Sequence, residues 1–261
     1  MGINTTAKKT YCNDNLIFLI EMYKAFQNHS VEEVLLHIEK RIFEYRLSLV
    51  NEAGYKNLRE FYNQKKHPLD LFVLIAYSFN HQIRFNNDHQ FNNPFGRERS
   101  SFNQTMKQNL EMFLHKLKHA DIEFTCHNFR DFDFSRFGAN DFVYCDPPYL
   151  ITTGTYNDGR RGFTGWNKAE EISLLELLDR FDKRQIKFAL SNVLEHKGKS
   201  NEILKQWLEK NPGYRINFID HHYSNSNYQT ANRDKNASLE VLITNYETVK
   251  TPAHPTPFEL F

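Results

Sequence analysis

Apolar residues recur every three or four positions in several segments of this 261-residue chain, a spacing that predicts helices with one face against a core. The predicted helices span residues 16–26, 31–49, 57–79, 103–118, 168–183 and 200–210. Short apolar runs bounded by turn residues predict strands at 7–12, 122–125, 141–145, 187–190, 214–220 and 239–244, with the 141–145 strand buried. Strands therefore alternate with helices near both ends of the chain, which predicts an α/β protein with a doubly wound sheet.

A block of predicted helices over residues 31–120 interrupts this alternation. Inside the block, residues 84–97 are rich in asparagine with aromatic residues between polar ones, which predicts a hairpin or an ordered surface loop. The remaining parts are a partial α/β segment over 1–30, the rest of the α/β domain over 121–250, and a tail over 251–261 that holds three prolines. We expect the tail to be a loosely held terminus.

Composition excludes several classes of protein. Hydrophobic residues make up 40% of the chain and charged residues 25%, which excludes a disordered or low-complexity chain. The longest strongly apolar run, Leu71 to Tyr77, is far shorter than the roughly 20 residues that cross a bilayer, so we expect no membrane partner. Three cysteines without ligand spacing predict a cytoplasmic protein with no metal site. Lys and Arg exceed Asp and Glu by one, 33 against 32, so any contact with nucleic acid requires local positive charge.

The tetrapeptide Asp146-Pro147-Pro148-Tyr149 directly follows the strand predicted at 141–145. Reactive groups of open α/β sheets lie just beyond the carboxyl ends of strands. An exocyclic amine of a nucleic-acid base is a poor nucleophile because its lone pair is delocalised into the ring. The Asp146 carboxylate and the Pro147 carbonyl can accept its two N–H groups, while Tyr149 offers a face for a base rotated out of a duplex. The prolines fix the backbone and bring no competing N–H donor; alternatively, they only end the strand.

The stretch from Phe142 to Tyr149 resembles the catalytic motif of the Dam-like (D12 class) DNA adenine-N6 methyltransferases. Residues 11–16 resemble the family's segment whose acidic residue, here Asp14, binds the ribose hydroxyls of S-adenosylmethionine; the alternative is that Asp14 only caps a helix. Asn128 and Phe129 stand where the family places a pair beside the cofactor adenine, and Asp146 also borders the cofactor. Segments 190–192 and 240–246 resemble later sheet motifs, so the resemblance covers about residues 8–246.

The resemblance implies a Rossmann-like methyltransferase sheet with helices on both faces and an inserted, mostly helical target-recognition region with a hairpin. It implies double-stranded DNA as the partner. The expected DNA-contacting residues are Arg84, Asn86, Asp88, Asn92, Arg97, Phe163 and Trp166, although Phe163 and Trp166 could instead only pack their loop. Family hairpins commonly place a guanine-contacting arginine four residues after the position of Arg84, where this chain has Asp88.

The family's glycine-rich turn, which holds the methionyl part of the cofactor, is not found in this sequence. We expect an upstream segment or another polypeptide to supply it. The predicted function is a site-specific DNA adenine-N6 methyltransferase of a restriction-modification system. Cytosine-N4 methylation uses the same amine chemistry, although serine commonly leads the motif in that class. The second alternative is a truncated, non-catalytic DNA-binding remnant, or a subunit that needs a partner chain to bind the cofactor.

Overall fold

A computed structural model describes residues 2–152, 166–219 and 238–247 of the chain. The described residues form two compact units, one up to Asp131 and the other from Phe132 onward. No helix in these three ranges is both long and apolar enough to cross a membrane. The domain boundaries predicted from the sequence stay a prediction, and the tail at 251–261 lies outside the described residues.

The first unit consists of five α-helices and a two-stranded sheet. The helices are α1 (Ile17–Asn28), α2 (Val31–Glu44), α3 (Glu52–Lys65), α4 (Pro68–Tyr77) and α5 (Gln104–His119), and the strands are β1 (Thr10–Asn13) and β2 (Ile122–Thr125). Strands β1 and β2 pair in parallel, with Asn13 opposite Thr125. Helix α4 packs against α1, α2 and α3, and its residues from Leu69 to Tyr77 are all buried. The apolar run that is too short for a membrane is therefore the centre of this unit's core.

Local sequence explains where the helices begin and end. Ser30 and Glu33 form a reciprocal capping box that starts α2. The single helix predicted over 57–79 is wrong, because the chain forms α3 and α4 with a break between them. Lys66 takes a left-handed conformation (φ 54°), and His67 is extended before Pro68. A proline fits the first turn of a helix but disfavours helical backbone at the residue before it, so α4 starts afresh.

The second unit contains a mixed sheet and two helices. Its elements are β3 (Phe142–Cys145), α6 (Lys168–Lys183), β4 (Lys187–His196), β5 (Lys199–Ser200), α7 (Glu202–Lys210), β6 (Arg215–Phe218) and β7 (Ser238–Thr244). The strand order is β3-β4-β7-β6, with β5 also paired to β4. Among the described residues of this unit, β3 and β4 pair in parallel and the other strand pairs are antiparallel. The predicted α/β class is confirmed.

Two strand predictions need correction. Strand β4 continues six residues beyond the predicted end at Leu190, to His196, because residues 191–196 pair with β7. Strand β3 is not buried: Phe142 and Tyr144 are 51% and 38% exposed. Its apolar run resembles a central strand, but in this structure β3 has a described partner only in β4.

A buried carboxylate ties α2 to the start of α4. The side chain of Asp70 is fully buried, and its Oδ1 accepts hydrogen bonds from His37 Nε2 at 2.6 Å and Arg41 Nε at 2.7 Å. Burial alone would raise the pKa of Asp70, but these two hydrogen bonds and the positive charge of Arg41 hold it below its ordinary value. The stabilisation that ionised Asp70 contributes is therefore present above the pKa of an aspartate in the unfolded chain. It is lost as the pH falls through the lowered pKa of Asp70 in the folded protein.

We expect Asp70→Asn to lower the free energy of unfolding by about 3 kcal/mol, because it leaves the partly buried Arg41 without its carboxylate. Urea denaturation at neutral pH measures the free energy of unfolding. The difference in this free energy between variant and parent should become smaller in acid. The control is Glu52→Gln, which removes the exposed ion pairs to Lys56 and Arg97 and should change stability far less than Asp70→Asn does. Equal losses of stability in Asp70→Asn and Glu52→Gln would contradict the role of Asp70 as the buried tie between α2 and α4.

Candidate active site

The Asp-Pro-Pro-Tyr turn leaves the carboxyl end of β3 beside the middle of β4. Cys145, the last residue of β3, is opposite Leu190, so Asp146 begins level with Ser191. The Tyr149 hydroxyl lies 2.9 Å from Ser191 Oγ and also donates to Asp146 Oδ1 at 3.4 Å. The structure thus brings Asp146 and Tyr149 together. Ser191 was not among the predicted site residues, although it belongs to the 190–192 segment that resembles a family sheet motif.

The surroundings of the two motif side chains raise the pKa of both. Asp146 is exposed as a residue, but protein atoms around its carboxyl group remove part of its water, which raises its pKa. The hydrogen bond from Tyr149 lowers that pKa and the charge of Glu240 raises it. Partial burial raises the pKa of Tyr149 to about 12, so its hydroxyl keeps its proton at neutral pH. Burial likewise raises the pKa of the Cys145 thiol to about 12, which disfavours a thiolate nucleophile.

The backbone after the motif is also held. Thr152 donates from its backbone N–H at 3.2 Å and from its hydroxyl at 3.0 Å to the carbonyl of Tyr149. Within the turn itself, Pro147 is half-buried and Pro148 is exposed. These bonds fix the direction in which the chain leaves Tyr149. The rest of the loop, including the predicted contact residue Phe163, lies outside the described residues.

Trp166, the other aromatic residue predicted to contact DNA, is tied to a buried carboxylate. Its indole N–H donates to Glu171 Oε2 at 2.6 Å. Glu171 is fully buried, and its other oxygen accepts from the side-chain amides of Asn192 at 3.1 Å and Asn201 at 2.9 Å. The indole N–H thus has an internal structural role, and a DNA contact by Trp166 stays a prediction.

The predicted cofactor residues lie at one edge of the β1–β2 sheet. Both strands are parallel, so their carboxyl ends meet, and Asp14 N–H donates to the carbonyl of Thr125 at 3.2 Å. The side chain of Asn13 bonds both the N–H and the carbonyl of His127, at 3.0 and 2.9 Å. These contacts bring Asp14 and the chain before Asn128 to the same edge. Asn13 is a supporting residue that the sequence reasoning missed.

Each cofactor candidate also has a local structural role. Asp14 Oδ1 accepts from the N–H of Leu16 at 2.7 Å, which forms a turn before α1, whereas the N-cap of that helix is Leu16 and has no side-chain cap hydrogen bond. Desolvation raises the pKa of Asp14, and the backbone N–H groups of Leu16 and Asn15 partly offset this. An ionised carboxylate has about four acceptor positions, so Asp14, which is exposed, can still accept hydroxyl groups. The residues present therefore fit a ribose diol.

The adenine-side candidates are half-buried at the turn after β2. Asn128 Oδ1 accepts from the N–H of Arg130 at 3.0 Å, and the Arg130 guanidinium lies 5.6 Å from the ring centroid of Phe129. The Asn128 side chain therefore shapes the turn that presents the Phe129 ring. Their contact with a cofactor adenine stays a prediction.

Residues 85–91, in the central part of the segment predicted as a hairpin, form an antiparallel turn. Phe85 and Phe91 form an antiparallel bridge, and Asn92 N–H donates to the carbonyl of Arg84 at 2.9 Å. The side chain of Asn86 accepts from the N–H groups of Asp88 and Gln90 and so holds the turn.

The five hairpin residues predicted to contact DNA differ in exposure. Asp88 at the turn and Arg97 are exposed, whereas Arg84, Asn86 and Asn92 are half-buried. Arg97 pairs with Glu52 at 2.9 Å through its guanidinium. Asp88 and Arg97 are therefore the two predicted contact residues whose side chains can meet a partner without rearrangement of the hairpin.

One group of possible metal ligands occurs among the described residues. His37, His67 and Asp70 bring one potential ligand atom each within 4.8 Å of one another. Two internal hydrogen bonds already occupy Asp70 Oδ1, and the rings of His37 and His67 are stacked 4.6 Å apart. The Arg41 guanidinium beside Asp70 also opposes the approach of a cation. We interpret this group as the tie between α2 and α4.

Comparison with known proteins identifies the class of protein that carries this site. Residues 1–246 match the family of D12 class N6 adenine-specific DNA methyltransferases, and the chain belongs to that family. Its Rossmann-like methyltransferase fold class agrees with the α/β architecture.

Three relatives are similar over most of this chain. It is 50% identical over 246 residues to Type II methyltransferase M.FokI of Planomicrobium okeanokoites, covering 94% of this chain and 37% of the relative. It is 48% identical to Modification methylase StsI of Streptococcus sanguinis, covering 95% and 37%, and 34% identical to Modification methylase LlaI of Lactococcus lactis subsp. lactis, covering 95% and 38%. The chain thus spans little more than a third of the length of these curated relatives.

We expect Asp146 to titrate above the ordinary aspartate range, and Tyr149→Phe to raise its pKa further, because the variant removes a hydrogen bond that favours the carboxylate. Carboxyl-carbon NMR titration of labelled protein measures this. Asp133 provides the internal reference, since hydrogen bonds from Ser135 lower its pKa and the Tyr149→Phe substitution does not alter them. A lowered pKa of Asp146 in Tyr149→Phe would refute the assigned hydrogen bond.

Proposed function

We propose that this chain is a site-specific DNA adenine-N6 methyltransferase of a restriction-modification system, acting on double-stranded DNA in the cytoplasm with S-adenosylmethionine as methyl donor. The observation that carries the proposal is the pairing of the Asp146 carboxylate with the Tyr149 hydroxyl at the carboxyl end of β3, in a chain of the D12 family. The names of the relatives, a type II methyltransferase and modification methylases, support the same activity.

The chemistry assigned to the motif is the orientation of an amine. The Asp146 carboxylate and the Pro147 carbonyl accept the two N–H groups of the target adenine, which directs the nitrogen lone pair towards the methyl donor. The nitrogen gains a methyl group and loses a proton in this transfer. A carboxylate with a raised pKa accepts that proton more readily than an ordinary aspartate does. The protonated thiol of Cys145 takes no part as a nucleophile.

Asp14, Asn128 and Phe129 are assigned to the cofactor. When bound, S-adenosylmethionine supplies a methyl group activated by a sulfonium. Asp14 would accept the ribose hydroxyls, while Asn128 and Phe129 would border the adenine ring. Their common position at the carboxyl edge of β1 and β2 supports this assignment. Supply of a glycine-rich segment by another polypeptide stays a prediction.

Two alternatives receive less support. Cytosine-N4 methylation would use the same amine contacts, but the matching family is adenine-specific and the motif begins with Asp146. A non-catalytic remnant, or a subunit dependent on a partner, is less favoured because the relatives are named for methylation.

We expect Asp146→Ala to abolish methyl transfer and leave DNA binding largely unchanged, since the carboxylate contacts the reacting amine and not the phosphates. Transfer of a tritiated methyl group to bacterial DNA that lacks adenine methylation measures the activity, and a filter-binding assay measures the affinity. Asp133→Ala is the matched control, since Asp133 is an exposed aspartate of the same unit that bonds Ser135. Retention of most of the rate in Asp146→Ala would show that the carboxylate is wrongly assigned.

The hairpin predicts a recognition site other than GATC. An arginine can donate two hydrogen bonds to a guanine, whereas Asp88, exposed at the hairpin turn, has only acceptors and suits a cytosine amino group or no base contact. Single-molecule sequencing of DNA from cells that express the protein identifies the methylated sites. Methylation of GATC sites and no others would contradict the role inferred for Asp88.

Arg97 is expected to anchor the hairpin to a phosphate without reading a base. Arg97→Ala should therefore weaken binding to all sequences alike and reduce the salt dependence by about one phosphate contact. Glu52→Gln is the control, because it removes the ion-pair partner and leaves the arginine in place. A change in sequence preference in Arg97→Ala would show instead that this arginine reads a base.

A further inference from the structure

The hydroxyl of Tyr149 makes contacts that base stacking does not require. Stacking uses only the flat ring, yet the hydroxyl lies 2.9 Å from Ser191 Oγ and 3.4 Å from Asp146 Oδ1. Because the phenol stays protonated, it has one hydrogen to donate and can also accept one from a neighbour. When Tyr149 donates to Asp146, Ser191 can donate to Tyr149, and the three groups then form one hydrogen-bonded chain.

Of the three hydrogen-bonded side chains, that of Ser191 belongs to a strand of the sheet. It lies on β4, which pairs with β3 on one side and with β7 on the other, where Ser191 is opposite Leu242. Tyr149 lies on the turn that follows β3, and Thr152 donates to its carbonyl. Ser191 pairs with β7 one position beyond Leu190, where β3 ends, and this strand position provides the fixed point for a side chain on a turn.

The next residue of β4 reinforces this position from within the unit. Asn192 is fully buried and donates its amide to Glu171, the carboxylate that also receives Asn201 and Trp166. Glu171 thereby joins the start of α6, the middle of β4 and the start of α7. The segment that carries Ser191 is held by side-chain bonds as well as by the strand ladders.

We propose that Ser191 is a positioning residue for the target base. Its hydroxyl fixes the plane of the Tyr149 ring and keeps the Tyr149 hydroxyl directed at Asp146, so that the stacked base presents its amine to the carboxylate. Ser191 acts through Tyr149 and does not touch the reacting atoms. The inference rests on the function proposed above.

A double-mutant cycle of Ser191→Ala and Tyr149→Phe tests the role in methylation. Each single variant removes one side of the same bond, so each should lower the single-turnover methylation rate at saturating DNA and cofactor by about tenfold. The double variant should be no slower than the slower single variant. Ser191→Thr keeps the hydroxyl and should retain most of the rate, and DNA affinity should be unchanged in all four proteins.

Two control variants remove comparable hydroxyl contacts elsewhere in the unit. Ser238→Ala removes the 2.6 Å contact with His196 on β4, and Tyr214→Phe removes a hydroxyl 3.5 Å from the carboxylate of Asp179. Both should leave the methylation rate essentially unchanged. Losses that add in the double variant, or no loss in Ser191→Ala, would overturn the proposal.

Ring motion provides a readout that does not depend on methylation. NMR relaxation of labelled tyrosine rings in the DNA-free protein should show a more mobile Tyr149 ring in Ser191→Ala than in the parent or in Ser191→Thr. An unchanged ring overturns the positioning role whether or not the chain is active. If the ring becomes mobile in Ser191→Ala but Asp146→Ala keeps full activity, the contact between Ser191 and Tyr149 is supported. The proposed function is overturned instead.

Discussion

The parallel register between β3 and β4 is the constraint on which the candidate active site depends. Cys145 lies opposite Leu190, so the chain turns out of the sheet where Ser191 meets Tyr149. Side chains alternate between the two faces of a strand, and a slip by one residue would move Ser191 to the opposite face. It would also move Leu190 out of the core, where it is fully buried. The same burial that stabilises the sheet therefore fixes the geometry of the motif.

A buried carboxylate adds rigidity behind that register. Glu171 accepts hydrogen bonds from three neutral side chains, and it joins α6, β4 and α7. Buried polar groups are costly unless they are paired, so any displacement of these elements would leave Glu171 unsatisfied. In the first unit, Asp70 has a similar role between α2 and α4, but there a cation, Arg41, balances the charge. Each unit is thus held by a buried acid whose partners come from different elements.

Local patterns predicted most elements of the fold. The strand at 122–125 and the helix at 168–183 have the predicted ends, because periodicity and a capping asparagine at 167 are local signals. The break before Pro68 was missed because apolar periodicity continues across it, although the proline itself was a visible signal. The exposure of β3 was missed because an apolar run does not reveal whether neighbouring strands cover it.

The sequence predicts the Asp-Pro-Pro-Tyr motif of the candidate site but not the residues that support it. Asp146, Tyr149 and Asp14 can be named from short segments, and parallel pairing explains why Asp14 and Asn128 share an edge. Ser191 lies 42 residues from Tyr149, and Glu52 lies 45 residues from Arg97, so these contacts depend on tertiary structure that no local pattern specifies. The resemblance of segment 190–192 to a family motif was the only available signal for Ser191.

The most direct test of the proposed mechanism is to measure whether the target base leaves the duplex and stacks on Tyr149. The measurement is the fluorescence of 2-aminopurine placed at the target adenine of an oligonucleotide that carries the methylated site. On binding, we expect the emission to change from the value of the stacked duplex. This change should depend on the Tyr149 ring, so it should be retained in Tyr149→Phe and altered in Tyr149→Ala. Binding of the parent protein with the emission still that of a base stacked in the duplex would contradict it.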